Sequence, residues 1–362
     1  MVGMVGGEIE ARRVQRFGRS TLMVSLPAEW VKEIGLKPGD TVTITIDEDK
    51  SLRIYPAFTK VEKERRMTLR ISKYTKSSLI DKCLETAYSL GYDVIVVEVV
   101  DGYLEEEQLK TLRGFVKELI GAEIIDHAPS RVTIQIFVDP TKHSISGIIS
   151  RMTNLIKYMI QYLGHLVSER KTHFVDEILE LRRELIRFYM LSMRQTFLGQ
   201  IDRGYARMLE VKSYMLPRYR SIARSLDLIG EAMANIAIYI KNLDPREFEE
   251  VSRKISDLKE LLDLFQVSLE RSIENIEKTN VIEAYNTLSL GEEFYNHVTR
   301  FIEKHLKEDS CKPYYQTIRE IIEILRRSSM DLRVITSVGF DLAVERAGGI
   351  IDLSSGEAIK IV

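Results

Sequence analysis

The most concentrated chemical signal is a set of four arginines near the start of the chain: Arg12, Arg13, Arg16 and Arg19. Guanidinium groups present forked donors that match phosphate oxygens and base edges. Small polar side chains stand among them, namely Gln15, Ser20 and Thr21. Between residues 11 and 37, six basic residues face two acidic ones, a net charge of +4. This favours contact with a nucleic-acid backbone, although such a stretch is more often a plain solvated face.

A second candidate set consists of acidic and amide side chains spaced four apart. Its members are Asp227, Glu231 and Asn235, followed later by Asp341 and Glu345. At about 100° per residue, positions four apart lie above one another on one helix face. Two carboxylates one turn apart can share a metal ion. The alternative is a solvated helix face, which spacing alone favours.

Residues for catalysis are not grouped in this sequence. The six histidines are scattered without ligand spacing: His127, His143, His165, His173, His297 and His305. The two cysteines, Cys83 and Cys311, form no Cys-x-x-Cys pair and are expected to be half-buried thiols in a reducing compartment. No Ser/His/Asp or Cys/His arrangement is readable. We therefore expect a protein that is not an enzyme.

Length and composition indicate a globular protein of two or three domains. The chain has 362 residues, of which 29% are charged and 44% hydrophobic, and its net charge is −2. A nucleic-acid surface must therefore be a local patch. The first residues do not resemble a signal peptide, and no apolar run reaches the roughly 20 residues that a spanning helix needs. We expect a cytoplasmic protein without membrane insertion.

Three segments differ in their hydrophobic periodicity. Residues 8–57 show short alternating strands, with a turn at residues 47–50. Residues 62–140 predict a small α/β domain in the order βαβαββ. Its predicted elements are strands at 67–72 and 94–100, helices at 77–90 and 104–120, and a hairpin over 123–138. No glycine-rich nucleotide-binding motif is present.

Residues 143–350 are predicted to be entirely helical. Six helices are expected, at 144–169, 174–199, 211–242, 246–279, 281–308 and 314–350. Apolar residues of the fourth recur mostly four and three apart, which predicts a buried seam. The seam consists of Val251, Ile255, Leu258, Leu262, Phe265, Leu269, Ile273 and Ile276. Asp-Leu-x-x-Glu occurs at Asp227 and again 114 residues later at Asp341, which predicts two three-helix repeats, about 143–243 and 246–350.

The order of motifs in the first segment resembles the AbrB/SpoVT (MazE-like) swapped-hairpin family. The resemblance rests on residues 13–21, 24–30 and 35–42. It implies that two chains pair into one interleaved β-barrel, whose basic strand and loop contact DNA. The implied contacts are Arg12, Arg13, Arg16 and Arg19, with Gln15, Ser20 and Thr21 assisting. The implied core residues are Leu26, Trp30, Leu36 and Val42.

The helical segment resembles PhoU, a family of phosphate-uptake regulators built from paired three-helix bundles. The resemblance rests on residues 226–237, where an acidic pair four apart precedes Asn-Ile-Ala. It implies transition-metal ions, iron or zinc, at Asp227, Glu231, Asn235, Asp341 and Glu345. The second copy departs from the first, because Gly349 stands at the position equivalent to Asn235.

Together the two resemblances imply a multidomain protein similar to archaeal phosphate-uptake regulators. We expect a homodimeric transcription regulator that binds DNA through its first segment and senses phosphate supply through its helical body. The alternative is a signalling adaptor that docks on phosphate ABC transporter components or a sensor kinase, with the first segment serving only to dimerise the chain. A metal-dependent phosphohydrolase is the disfavoured third reading.

Overall fold

The computed structural model describes residues 10–46, 50–56, 64–169, 171–277, 280–305, 313–348 and 351. The chain divides into two compact units, Met1–Glu64 and Arg65–Val362, here called the N-terminal and C-terminal units. The predicted α/β and helical segments thus belong to one unit. Parts of several predictions lie outside the described residues: the ends of the predicted segments at 8, 57, 62 and 350, the turn residues 47–49, Cys311 and Gly349.

The N-terminal unit consists of two hairpins and one short helix. The elements are β1 (Gln15–Phe17), β2 (Thr21–Met23), α1 (Ala28–Ile34), β3 (Val42–Ile46) and β4 (Leu52–Pro56). β1 pairs with β2 and β3 pairs with β4, both antiparallel. The first turn contains Gly18 at a φ of 71°, and Gly35 ends α1 at a φ of 70°. Both backbone conformations favour glycine because it has no Cβ.

This unit has no fully buried side chain among its described residues. The four predicted core residues, Leu26, Trp30, Leu36 and Val42, are only half-buried. Large apolar side chains on its strands remain exposed, including Phe17, Leu22, Ile46 and Leu52. The described residues of one chain form two separate two-stranded sheets and no closed barrel. A segment this short does not bury a core by itself.

The C-terminal unit begins with a four-stranded sheet covered by two helices. The elements are β5 (Arg66–Ile71), α2 (Ser77–Ser89), β6 (Val94–Val99), α3 (Glu106–Glu118), β7 (Ala122–Ala128) and β8 (Arg131–Ile136). The sheet order is β5-β6-β8-β7, with β5 parallel to β6 and the remaining pairs antiparallel. A capping box between Glu105 and Gln108 fixes the start of α3. The predicted βαβαββ order is confirmed.

The core of this sheet region comes from the inner faces of its two helices and from the central strands. Ile80, Leu84 and Tyr88 of α2 are buried against Val97 and Ile134. The hydroxyl of Tyr88 donates a 2.9 Å hydrogen bond to the carbonyl oxygen of Ile120, which satisfies the polar end of a buried ring. Cys83 of α2 is half-buried, as expected, and forms no disulfide among the described residues.

The rest of the unit is helical. The helices are α4 (Ile145–Glu169), α5 (His173–Ile201), α6 (Arg203–Met208), α7 (Leu216–Lys241), α8 (Pro245–Glu277), α9 (Val281–Asn286), α10 (Leu290–His305) and α11 (Pro313–Arg346). The prediction of one unbroken helix over 281–308 is wrong, because α9 ends before α10 begins. Near the break, the Thr287 hydroxyl donates a 2.7 Å hydrogen bond to the carbonyl oxygen of Ala284. The backbone N–H groups of Thr287, Leu288 and Leu290 donate to carbonyl oxygens three residues earlier, which is the hydrogen bonding of a tighter turn than the α-helix.

The six long helices pack as two sets of three. α4, α5 and α7 contact one another, as do α8, α10 and α11, while α4–α8 and α7–α11 contacts join the sets. The seam predicted on α8 is buried from Leu258 to Ile276. The side chains of Val251 and Ile255 lie outside the described residues. None of the described helices is both long and apolar enough to cross a bilayer.

Candidate functional site

The basic residues of the N-terminal unit lie on and around the β1–β2 hairpin. Arg16 stands opposite Leu22 in the antiparallel register, and Arg19 lies in the turn between the strands. Because side chains alternate along a strand, Gln15 and Arg16 project to opposite faces of the hairpin. Thr21 pairs across the strands with Phe17, and Ser20 precedes it in the turn. The seven predicted DNA contacts thus lie close together, but they do not share one face.

The charge of this hairpin is mostly unneutralised. Arg13, Arg16 and Arg19 are exposed, and none makes an ion pair or hydrogen bond among the described residues. Arg12 differs, because its Nε donates a 3.0 Å hydrogen bond to a carboxylate oxygen of Glu10. Three free guanidinium groups on a short exposed hairpin can therefore reach phosphate oxygens without first losing an internal partner.

A cleft of about 650 Å³ in the same unit was not predicted from the sequence. Its lining residues are Glu10, Leu26, Pro27, Glu29, Trp30, Glu33, Leu52, Arg53 and Ile54. Its apolar side chains come from the segment before α1, from α1 and from β4. The lining residues of α1 and those of β4 are at least 19 positions apart, so alternation within one strand gives no sign of the cleft. Its apolar side chains, like the exposed apolar residues of the strands, lie at the surface of the single chain.

Asp227 lies where the sequence reading did not place it. The spacing alone favoured a solvated helix face for Asp227, but the residue is only 4% exposed. Its Oδ1 accepts a 2.7 Å hydrogen bond from Arg182 on α5, and its Oδ2 accepts a 2.8 Å hydrogen bond from Arg224 on α7. The packing of α5 against α7 brings Arg182 over this face of the helix. Both carboxylate oxygens are therefore occupied by guanidinium groups.

The other predicted metal ligands are also separated or paired. Glu231 and Asn235 are exposed on α7. Asp341 forms an ion pair with Arg218. Glu345 accepts hydrogen bonds from Tyr214 and Lys212, and these partners lower the pKa of its carboxyl group. The structure therefore brings neither stripe together as a ligand set.

Within the described part of the chain, no three His, Cys, Asp or Glu side chains form a group that could hold a metal ion. A hard or borderline cation needs oxygen ligands that are free of competing cations. Asp227, Asp341 and Glu345 each have a basic partner instead. This arrangement of donors does not fit a metal centre. Metal binding at these residues stays a prediction from the resemblance alone.

A buried arginine that joins the sheet to the helices was also not predicted from the sequence. Arg194 of α5 is 2% exposed. Its guanidinium donates to the carbonyl oxygens of Tyr88 and Tyr92 at 3.2 and 2.7 Å, and to Asp93 at 2.5 Å. Asp93 also accepts a 2.9 Å hydrogen bond from the backbone N–H of Arg65, the first residue of the C-terminal unit. Only the position of Arg194 as the one charged residue of the sequence between residues 188 and 201 could have drawn attention to it.

Comparison with protein families adds one finding. Residues 15–63 match the model of the family described as antidote-toxin recognition MazE, bacterial antitoxin. The match includes the β1–β2 hairpin, the helix α1 and the β3–β4 hairpin, and it supports the resemblance to a hairpin DNA-binding domain. No curated protein matches the chain.

Proposed function

We propose that this protein is a homodimeric, DNA-binding transcription regulator. The observation that carries the proposal is the β1–β2 hairpin, where Arg13, Arg16 and Arg19 are exposed and unpaired among the described residues. This hairpin lies inside the segment that matches the MazE family model. Unpaired arginines provide the charge that DNA backbones bind, and their forked donors suit base edges.

Pairing of two chains follows from the apolar surface of the N-terminal unit. Phe17 and Leu22 are 64% and 69% exposed, and Ile46 and Leu52 are 73% and 64% exposed. When a second chain covers such side chains, the free energy of association becomes more favourable by about 25 cal/mol for each Å² of apolar surface removed from water. A symmetric pair presents two copies of the basic hairpin. Its operator is therefore expected to be palindromic.

The helical region is proposed to make DNA binding respond to phosphate supply. This part of the proposal depends on the resemblance of residues 226–237 to PhoU and on the two sets of three helices in the C-terminal unit. The region would sense a ligand, a metal ion or a partner protein. The regulated genes would then be those of phosphate uptake.

Two other functions fit specific observations. A signalling adaptor, docking on phosphate transporter components or a sensor kinase, fits the large share of the chain that is helical. An antidote-type protein fits the family match, whose description names toxin recognition. Both assign the basic hairpin a smaller role than the proposed regulator does. Phosphate-dependent gene expression that survives replacement of Arg13 and Arg16 by alanine would favour the adaptor.

The salt dependence of DNA binding tests the proposal directly. Fluorescence anisotropy with duplex DNA at several salt concentrations should give a slope of log K against log salt of about −4 to −7, if about four to eight phosphates are neutralised. The operator can be identified by mapping bound DNA across the genome in phosphate-rich and phosphate-starved cells. Occupancy that is identical in the two conditions would remove the phosphate part of the proposal alone.

A matched pair of variants assigns the DNA contacts. Replacing Arg13, Arg16 and Arg19 together by alanine should make the slope shallower by several units, because each dimer loses six charges. Lys32→Ala on α1 is the control, since it removes an exposed charge of the same unit outside the hairpin. A flat salt response of the unaltered protein, or equal slopes for the triple variant and the control, would contradict DNA binding by the hairpin.

A further inference from the structure

A second cleft lies inside the C-terminal unit, where α2 of the sheet region meets α5 and α7. Its volume is about 300 Å³, at the lower end of the range for small-molecule sites. Its lining residues are Lys82, Glu85, Thr86, Ser89, Leu90, Tyr189, Met190, Met193, Phe197, Arg220 and Arg224. None of these residues has a role in the proposed DNA contacts.

The charged lining of this cleft is predominantly basic. It contains three cations, Lys82, Arg220 and Arg224, and one anion, Glu85. Arg220 is exposed and has no ion pair or hydrogen bond among the described residues. Lys82 donates a 2.9 Å hydrogen bond to Glu85, which raises the pKa of its ammonium group and keeps it charged. The lining thus has a net charge of +2.

The hydroxyl groups of the cleft are already occupied. Thr86 donates to the carbonyl oxygen of Lys82 at 2.7 Å, and Ser89 donates to that of Thr86 at 3.0 Å. Arg224 donates to Asp227 at 2.8 Å and lies over the ring of Tyr189, 5.8 Å from its centroid. The charged donors that remain available therefore come mainly from Arg220 and from the unused N–H groups of Lys82 and Arg224.

The remaining wall is apolar. Met190, Met193 and Phe197 of α5 and Leu90 after α2 provide it. The guanidinium of Arg65 lies over the ring of Phe197, 5.2 Å from its centroid. A bare inorganic phosphate ion would leave much of this volume unfilled. The cleft therefore suits a ligand with an anionic end and an apolar body.

We propose that this cleft binds a phosphate monoester that carries an apolar or aromatic group. A phosphate monoester has a charge of about −1.5 to −2 at neutral pH and three acceptor oxygens, which complements a lining charge of +2. Its phosphate is held by Arg220, Arg224 and Lys82. Its organic part packs against Met193 and Phe197.

Calorimetric titration of the full-length protein tests the proposal with four probes: phenyl phosphate, inorganic phosphate, benzoate and phenol. Phenyl phosphate should bind at least about 10-fold more tightly than each of the others, since only it has both the dianionic and the aromatic part. Arg220→Gln should weaken the binding of phenyl phosphate by about 10-fold to 100-fold, the usual effect of losing a charged hydrogen bond.

The control variant is Arg113→Gln on α3. It removes another exposed arginine of the same unit that has no partner among the described residues and does not line the cleft. Its affinity for phenyl phosphate should equal that of the unaltered protein. Three results would overturn the proposal: equal affinity for inorganic and phenyl phosphate, equal affinity for benzoate and phenyl phosphate, or an Arg220→Gln affinity equal to that of Arg113→Gln. Both variants alter exposed side chains, so thermal unfolding should show an intact fold.

Discussion

Asp227 provides the sharpest test of the tertiary structure, because the resemblance to PhoU implies a metal ligand at this position, whereas the structure shows an ion-pair network there. The change to make is Asp227→Asn. It removes one negative charge from a side chain that is 6% exposed, while two arginines remain beside it. Asparagine also places an amide donor against a guanidinium group, which has no acceptor.

The magnitude follows from the burial of each partner. The side chain of Arg182 is 15% exposed, whereas that of Arg224 is 54% exposed. Breaking a buried pair costs about 3–5 kcal/mol, and an exposed pair contributes about 0–1 kcal/mol. We expect Asp227→Asn to lower the free energy of unfolding by about 3 kcal/mol, nearly all through Arg182.

Urea unfolding followed by far-UV circular dichroism measures this change, with Glu231→Gln as the control. Glu231 lies one helical turn further along α7 and is exposed, so its replacement should change the free energy of unfolding by less than about 0.5 kcal/mol. A double-mutant cycle with Arg182→Gln should give a coupling energy of about 1 kcal/mol or more. Equal stabilities of Asp227→Asn and Glu231→Gln would refute the reasoning. A loss of stability on adding a chelator, absent in Asp227→Asn, would instead support a metal ligand.

Three further predictions follow from buried groups of the C-terminal unit. Burial raises the pKa of Asp331 to about 6, so the folded protein keeps a proton that the unfolded chain loses. The contribution of Asp331 to stability therefore falls as the pH rises from about 4 to about 6. Asp331→Asn should raise the free energy of unfolding by about 1–3 kcal/mol at pH 8 but hardly at pH 4. Gly230→Ala should lower the melting temperature by several degrees, because the added Cβ overlaps the side chain of Leu185 on α5. An unchanged melting temperature would argue against this contact between α5 and α7. Arg194→Met should cost about 3 kcal/mol and increase hydrogen exchange in β6, since Asp93 and two carbonyl oxygens each lose a hydrogen bond from the guanidinium group. Unaltered exchange in β6 would contradict the role of Arg194.

The N-terminal unit shows which features of a fold a local sequence pattern can predict. Strand alternation is a local property, and it predicted the strands on either side of the turn at residues 47–50. The basic strand and loop at the start of the unit were implied only by the family resemblance. Burial was harder to predict, because it depends on which side chains pack around Trp30 and Leu36. They are half-buried in the single chain. A core that needs a second chain is a property of the assembly and not of the segment.

In the C-terminal unit, too, some features were predicted from local sequence patterns and others left no mark in them. Strand alternation and apolar runs predicted every strand and helix of the sheet region, because each of these elements has the hydrophobic periodicity typical of its type. The break between α9 and α10 was missed, because the three-residue backbone hydrogen bonds of Thr287, Leu288 and Leu290 leave no mark in the spacing of apolar residues. Continuous helical periodicity on both sides concealed it.

The sequence by itself determined most of the elements, their order and the local concentration of basic residues, since these depend on residues within one or two turns of each other. Only the tertiary structure decided which charges are free. Asp227 meets Arg182 across 45 positions, and Arg194 meets Asp93 across 101 positions. An ion pair of that separation exists only after helices and sheet have packed. Packing therefore made one predicted metal ligand a buried counter-ion and placed Arg220 beside an open cleft.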